Sequence, residues 1–268
     1  MVSYNSAHCF ARQGALLRAC PHVIVVDNGS DDGSAQQVSR HLPQARVLAL
    51  PRNLGFGAAN NRGLAQVATP FALLLNPDCD MQPQAIAALL EAARRWSDAA
   101  IVAPQLVEAG GGAEVNYRFA LTDWPARGAG AVGECCVGFV CGAAMLWRME
   151  RFADVGWFDE RFFLYYEDDD LCLRLKQARR PMIIAPQVRA RHRSRGSVRG
   201  QRPWRAEYLR GYHHAQSKLI FSGRHMGQAQ ALRLRWRLLL GTALSLPVRL
   251  LLPKPGLVAR MWGRLRGA

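Results

Sequence analysis

A chain of 268 residues, half of them hydrophobic, is long enough to bury one substantial core, either as one large α/β domain or as a domain with an appendage. Its net charge is +15 with a pI near 10.4, and no acid follows Glu207, so the last quarter is purely basic and implies an anionic partner: nucleic acid, acidic lipid or a phosphorylated substrate. Seven scattered cysteines with no C-x-x-C pair argue for reduced thiols and against a zinc site or a disulfide scaffold. The opening M-V-S-Y-N-S-A-H-C-F lacks the apolar stretch of a signal peptide.

In chain order, Val2-Ser3-Tyr4-Asn5 reads as the tail of a strand, and residues 6–20 as a loosely amphipathic helix. Val23 to Val26 is a continuous apolar run, the mark of a strand buried on both faces. It ends in Asp27-Asn28-Gly29-Ser30-Asp31-Asp32-Gly33-Ser34, turn chemistry that leads into a helix over 34–41. Val47–Leu50 predicts a third strand. Asn53-Leu54-Gly55-Phe56-Gly57 then brings small residues to the entry of a helix running to Val67. Phe71–Leu75 predicts a fourth strand, stopping at Asn76-Pro77-Asp78-Cys79-Asp80. A helix over 83–96 and a strand over 100–103 follow.

Alternating strands and helices, each strand ending in polar residues, predict a parallel doubly wound sheet, whose ligand sits beyond the carboxyl ends of the strands. Tyr4, Asp27, Asn53 and Asp78 all lie at such ends, and one crevice could collect them.

Residues 108–134 are Gly-rich and irregular, and Gly138–Trp147 reads as strand. A short helix near 149–154 precedes Gly156-Trp157-Phe158-Asp159-Glu160. Phe162 to Leu175, F-F-L-Y-Y-E-D-D-D-L-C-L-R-L, sets four consecutive carboxylates, Glu167 to Asp170, directly after large rings. A helix starting there carries the acids in its first turn, where its dipole favours negative charge, and Leu171, Leu175 and Ala178 share one face. A capped helix with solvated acids explains Asp169 and Asp170 as well as catalysis does. A carboxylate walled by rings loses water and becomes a usable general base near neutral pH, and that reading stays open beside the first.

Ile183–Pro186 is a further strand that Val188–His192 extends or pairs with, Arg193–Arg205 a basic mobile loop, and 206–221 a helix. Leu232 to Leu252 packs Leu into a basic frame too short to span a bilayer and broken by Pro247 and Arg249. An interfacial helix fits it better than a helix packed on the domain. Asp78-Cys79-Asp80 places hard oxygen donors at a spacing that suits Mg²⁺ or Mn²⁺ on a diphosphate, although a turn acid after Pro77 is the plainer reading.

The ordered series V-S-Y-N, V-D-N-G-S-D-D-G-S, N-L-G-F-G-A-A-N-N-R-G, N-P-D-C-D, G-W-F-D-E-R-F-F-L-Y-Y-E-D-D-D-L-C-L-R and His192 resembles family 2 glycosyltransferases of the GT-A fold, in their rhamnosyltransferase-like branch, over residues 2–198. The resemblance implies inverting sugar transfer from a nucleotide-diphosphate donor, with Mg²⁺ or Mn²⁺, to a glycan or lipid-linked acceptor of the cell envelope. By position it implies that Tyr4 stacks on the base and Asp27 bonds its edge. Asn53, Gly55 and Asn61 shape the nucleotide pocket. Asp80 binds the metal with His192, and Asp78 binds the ribose or joins the metal shell. Asp168 is the catalytic base with Glu167 beside it, and Trp157 and Asp159 line the acceptor side.

On this reading a catalytic domain over 1–200 precedes a helical, basic extension over 201–268, in a cytoplasmic protein held at the anionic inner face of the membrane. Members of the family carry several apolar residues before S-Y-N, and here only Val2 stands between Met1 and that motif. The expectation is a start placed too far downstream, the alternative a lost central strand. Two other functions are weighed: a truncated, inactive relative serving as a membrane scaffold, and a basic nucleic-acid-binding protein. No helix-turn-helix, RNP or zinc-finger spacing supports the latter, so nucleic acid is not expected as a partner.

Overall fold

The computed structural model describes residues 1–108, 110–115, 117–118, 130–193, 196, 203–250 and 255–268, with Val248 as backbone only. The chain forms two compact units: Met1–Leu54 with Ala58–Phe158 and Leu171–Arg199, and Gly55–Gly57 with Asp159–Asp170 and Gly200–Ala268.

The first unit is built on two sheets. Strands β1 (Val2–Ser3), β2 (Ile24–Asp27) and β3 (Arg46–Ala49) run parallel in that order, with Val2 opposite Val26 and Val25 opposite Val47. Helices α1 (Phe10–Arg18), reached through a 3-10 turn over Ala7–Cys9, and α2 (Ser34–His41) connect them. Phe10 and Leu17 from α1, Val25 from β2, and Val38 and Leu42 at α2 close one core cluster.

After α3 (Phe56–Leu64) come β4 (Phe71–Leu75), β5 (Cys79–Asp80), α4 (Gln84–Arg95), β6 (Ile101–Val107), β7 (Cys135–Val137), β8 (Ala144–Arg148), α5 (Glu167–Gln177) and β9 (Met182–His192). These strands make a second sheet in the order β4-β8-β6-β9-β5, with β7 on β9. The sheet is mixed where the sequence pattern predicts parallel strands, because β8 runs antiparallel to both β4 and β6. The reversal has no periodicity of its own: the return runs through the irregular residues after Val107, which carry no alternating pattern.

β6 is buried along its whole length and pairs parallel with β9. The register shifts between Pro104 and Gln105, so the proline, which has no N–H to give, sits at an irregularity and not in a regular ladder. The predicted strand over 138–147 begins at Ala144, and the helix near 149–154 is a 3-10 turn over Met149–Phe152, where Phe152 stacks on the buried Trp147 with centroids 4.1 Å apart.

The second unit is led by three helices: α6 (Pro203–His225), α7 (Gln228–Leu250) and α8 (Pro255–Gly267). The basic loop predicted over 193–205 lies largely outside the described residues, and α8 falls in the extension over 201–268 expected to be helical. Gly211 of α6, and Gly263 and Gly267 of α8, allow the two helices to touch backbone to backbone. A Cβ at Gly211 would lie 2.0 Å from Arg260 O, and one at Gly263 2.0 Å from Tyr208 O. Pro247 lies inside α7, which runs on through it to Leu250. No helix among the described residues is long and apolar enough to cross a membrane.

Among the described residues β4 pairs only with β8, and an apolar groove of about 390 Å³ lies between the two sheets, lined by Met1, Ile24, Val26, Leu64, Phe71 and Leu75 among others. The Met1 amine points inward and donates to Ile24 O at 3.0 Å. Burial pushes it from 8.0 down to about 6, against a smaller opposing pull from Cys20. Between pH 6 and 8 the folded chain has released this proton while the unfolded chain keeps it, so the unfolded state binds more protons and stability rises with pH. Denaturant titrations of the free and N-acetylated chains should therefore diverge as pH falls from 8 to 6, the free amine costing about 2 kcal/mol at the acid end. Coincident profiles would contradict the buried amine.

Candidate active site

The carboxyl ends of the first three strands are knitted by their own turn residues. Asn5, left-handed at φ 50°, donates its N–H to Ser30 Oγ at 3.0 Å, and its Oδ1 accepts from Asp31 N at 3.0 Å. Buried Asp27 accepts from the Ser30 hydroxyl and, at 3.4 Å, from the Ser30 N–H. The Asn28 side chain donates to Asn53 Oδ1 at 2.9 Å and accepts from Leu54 N at 2.8 Å. Gly29 is required where the loop crosses: at φ +75° it would put a Cβ 2.6 Å from the Arg52 carbonyl carbon. Tyr4 lies half-buried immediately before Asn5. Tyr4 and Asp27 thus lie at the carboxyl ends of β1 and β2, and Asn53 just past the end of β3.

In the same unit, Asp78–Cys79–Asp80 is held from two sides. On one, β5 pairs antiparallel with the end of β9, setting Cys79 opposite His192 and Asp80 opposite Arg191. On the other, buried Gln13 of α1 donates its amide to Pro77 O (3.1 Å), Cys79 O (2.9 Å) and Asp80 Oδ1 (3.1 Å). Asp78 accepts from Gly196 N at 3.0 Å, and Arg193 reaches Asp80 at 3.2 Å. His192 stands between two acids, Nε2 at 3.8 Å from Asp78 Oδ1 and Nδ1 at 3.6 Å from Glu114 Oε2.

Those three atoms, Asp78 Oδ1, His192 Nδ1 and Glu114 Oε2, are buried without a hydrogen-bond partner among the described residues. Buried orphan acceptors are costly unless something satisfies them, and carboxylate oxygens with one imidazole suit Mn²⁺ or Mg²⁺. No group of three His, Cys, Asp or Glu among the described residues is arranged to hold a metal ion alone. The residues present fit a cation that takes one or two carboxylates and completes its shell with diphosphate oxygens and water.

The acid run belongs to the second unit as far as Asp170. Tyr165 (φ 70°) and Tyr166 (φ 67°) are consecutive left-handed residues leading into α5, a conformation costly for bulky side chains and a sign that the surroundings force it. Helix α6 supplies the force. Its Ser217 hydroxyl donates to Leu164 O at 2.9 Å, His213 stacks on Phe163 at 4.3 Å, and His214 meets both tyrosine rings edge-on. Gly55, at φ +92°, lies so close to this loop that a Cβ would come within 2.4 Å of Phe163 O, and that carbonyl accepts from Phe56 N at 2.9 Å.

The turn then divides its four carboxylates. Asp170, fully buried, accepts from His225 Nε2 at 2.7 Å with Arg224 at 3.3 Å, which makes it a structural anchor. Glu167 is only 6% exposed, and its Oε2 has no partner among the described residues. Burial first, then the charges of Asp168 and Asp169, push its carboxyl well above the usual range. Asp168 is half-exposed and caps Asp169 N at 3.1 Å. Glu167 is therefore the desolvated acid of the run, while Asp168 and Asp169 are both partly exposed.

Two residues expected at the site are engaged by scaffold contacts. Asn61 gives both ends of its amide to the Phe158 backbone, at 2.8 and 3.2 Å. Asp159 is neutralised by Arg161 at 2.7 Å and by Arg224. Trp157 is half-buried and its carbonyl accepts from Arg174. Sequence reasoning missed Gln13, Glu114 and Arg193. None sits in a motif, and Glu114 falls in the irregular stretch where no period points to it.

Solved structures share the GT-A glycosyltransferase fold. The mannosyltransferase PcManGT from Pyrobaculum calidifontis, in complex with GDP-Man and Mn²⁺, superposes with a TM-score of 0.58 at 13% identity over 99% of this chain and 84% of that one. S. aureus TarS gives 0.56 at 14% identity over 99% and 88%. Residues 8–150 match glycosyl transferase family 2, and the chain belongs to that family. An N-acetylglucosaminyl-diphospho-decaprenol L-rhamnosyltransferase of Mycobacterium tuberculosis (strain CDC 1551 / Oshkosh) is 32% identical over 247 residues, 81% of this chain and 79% of the relative. The protein is thus a family 2 glycosyltransferase, similar to rhamnosyltransferases.

Two outcomes follow from the site. Gln13→Leu removes a donor shared by three acceptors, and calorimetry should show Mn²⁺-dependent nucleoside diphosphate binding weakened about tenfold, with a stability loss of about 1–3 kcal/mol. Unchanged binding would mean the turn holds without the amide. Glu167→Gln removes a carboxylate whose raised folded pKa makes the folded state bind more protons, so wild-type stability falls as pH rises through and above 4.5. The melting temperature of the variant should overtake that of the wild type progressively between pH 4.5 and 8. A constant offset would contradict the desolvated acid.

Proposed function

We propose that the protein transfers a sugar, rhamnose, with inversion from a nucleoside-diphosphate donor to a hydroxyl of a lipid-linked cell-envelope glycan, on the cytoplasmic face of the membrane. Its catalytic domain is residues 1–200 and its basic extension 201–268. The observation that carries this reading is the clamped Asp78–Cys79–Asp80 turn, with buried polar atoms on Asp78 and His192 that have no hydrogen-bond partner among the described residues, in a chain similar to a decaprenol-linked rhamnosyltransferase.

Each residue has a task on this reading. Tyr4 stacks on the base and Asp27 accepts from its edge, while Asn53, Gly55 and Asn61 fix the backbone around the nucleotide. Asp80 and His192 hold Mg²⁺ or Mn²⁺, with Asp78 on the ribose or in the metal shell. The cation, when bound, offsets the charge that builds on the departing diphosphate. Asp168 accepts the proton of the acceptor hydroxyl as that oxygen attacks the anomeric carbon on the face opposite the leaving group, so the configuration inverts and no covalent enzyme intermediate forms. Burial pushes the Glu167 carboxyl beside it well above the usual carboxylate range. Trp157 and Asp159 line the acceptor side, with Asp159 fixed by Arg161 and Arg224.

A second reading, an inactive relative serving as a membrane scaffold, draws on the groove beside the two-residue β1. One series separates the two. Thermal shift with dTDP-, UDP- and GDP-sugars and Mn²⁺ should give stabilisation by one nucleotide class, and a flat response across all of them favours the scaffold. With the responsive donor, Asp168→Asn should lower kcat about 10³-fold and leave donor KM within twofold, the signature of a lost general base. Retention of a tenth or more of wild-type kcat would remove Asp168 from that role.

A further inference from the structure

Helix α7 carries two apolar faces, and the three-helix unit accounts for only one. Thr242 is buried and Leu234, Leu238 and Leu246 are partly so, marking the side on which α7 packs within its unit. Opposite them, Leu232 (55% exposed), Trp236 (57%), Leu240 (58%), Leu244 (78%) and Leu250 (62%) face water. At about 100° per residue these five fall within an arc of about 120°, a stripe running about 27 Å along the helix. A soluble surface tolerates apolar residues singly, and an aligned row of this length marks a site of interaction.

The setting of the stripe selects the partner. Arg233, Arg235 and Arg237 are exposed around its first turns, and the chain has no acid from Tyr208 to Ala268. Near Leu250 the row meets Trp204 of α6 and Trp262 of α8, both more than half exposed, which line one apolar hollow with it. Leucines in a row, tryptophans along it and arginines beside them are the composition of a helix lying in the interface of an anionic bilayer, with its apolar face among the acyl chains and its guanidiniums at the headgroup phosphates. A second copy of this chain would bring the same uncompensated positive charge to the same face, so charge favours lipid over self-association.

We propose that the Leu232–Leu250 face of α7, continued by Trp204 and Trp262, docks this protein flat on an anionic membrane surface. The inference rests on the reading that the acceptor is lipid-linked, for which it supplies the means of approach. The full chain is sedimented with vesicles of phosphatidylcholine alone or with 30% phosphatidylglycerol. The wild type should partition at least tenfold better to the anionic vesicles. The double variant Leu240→Glu/Leu244→Glu, which alters only exposed positions, should lose at least tenfold of that binding while its melting temperature and its nucleotide-induced thermal shift stay unchanged. The triple variant Arg233→Gln/Arg235→Gln/Arg237→Gln should lose the preference for anionic lipid. Equal sedimentation of wild type and double variant would overturn the proposal. So would a dimer in light scattering that the double variant dissolves, or binding of duplex DNA that the leucine changes abolish. The nucleotide shift, read on the same samples, reports separately on the transferase reading.

Discussion

The arrangement depends first on a turn of three residues that cannot hold itself. Asp78–Cys79–Asp80 sets two carboxylates side by side next to a proline, and their mutual repulsion opposes any compact arrangement. The turn is kept in place by the amide of Gln13, which spans three acceptors, by the end of β9 laid antiparallel against it, and by Arg193 reaching Asp80. Each constraint comes from a distant part of the chain: α1, the last strand, and the residues just beyond it. The element that binds the donor diphosphate on the proposed reading is therefore specified by tertiary contacts, and its local sequence supplies only the donor atoms.

The second unit treats its own acids differently. There the backbone is forced, Tyr165 and Tyr166 being turned left-handed beneath the aromatic and histidine side chains of α6. The four carboxylates that follow are sorted by what each meets. Asp170 finds His225 and Arg224 and becomes an anchor, Glu167 is buried with one oxygen lacking a partner among the described residues and its carboxyl pushed well above the usual range, and Asp168 is partly exposed. One run of like residues thus yields an anchor, an acid and a candidate base through environment alone.

How much of this was legible in the sequence follows from the range of the forces involved. The strands ending at Asp27 and Leu75, and α2 over 34–41, were readable because unbroken apolar runs and turn residues are local signals. The same holds for the acids in the first turn of α5. The antiparallel course of β8 was not readable, since strand direction is decided by a return through residues with no period. Nor were Gln13 and Glu114, which matter through contacts with residues 64 or more positions away or in an irregular segment. That residues 201–268 are helical was readable, but the packing of α8 on α6 was not, because it depends on Gly211, Gly263 and Gly267 letting backbones touch. Which of four adjacent acids turns inward was not readable, because burial of Glu167 and Asp170 is decided by the fold and not by the run itself.

The most direct measurement is calorimetric titration of the nucleoside diphosphate of the active donor into wild type and Asp80→Ala, with and without Mn²⁺. The account requires wild-type affinity to rise at least tenfold when Mn²⁺ is present, and Asp80→Ala to bind with the metal-free affinity under both conditions. Wild type and variant of equal affinity, with Mn²⁺ making no difference to either, would show that the clamped turn is not where the diphosphate is held.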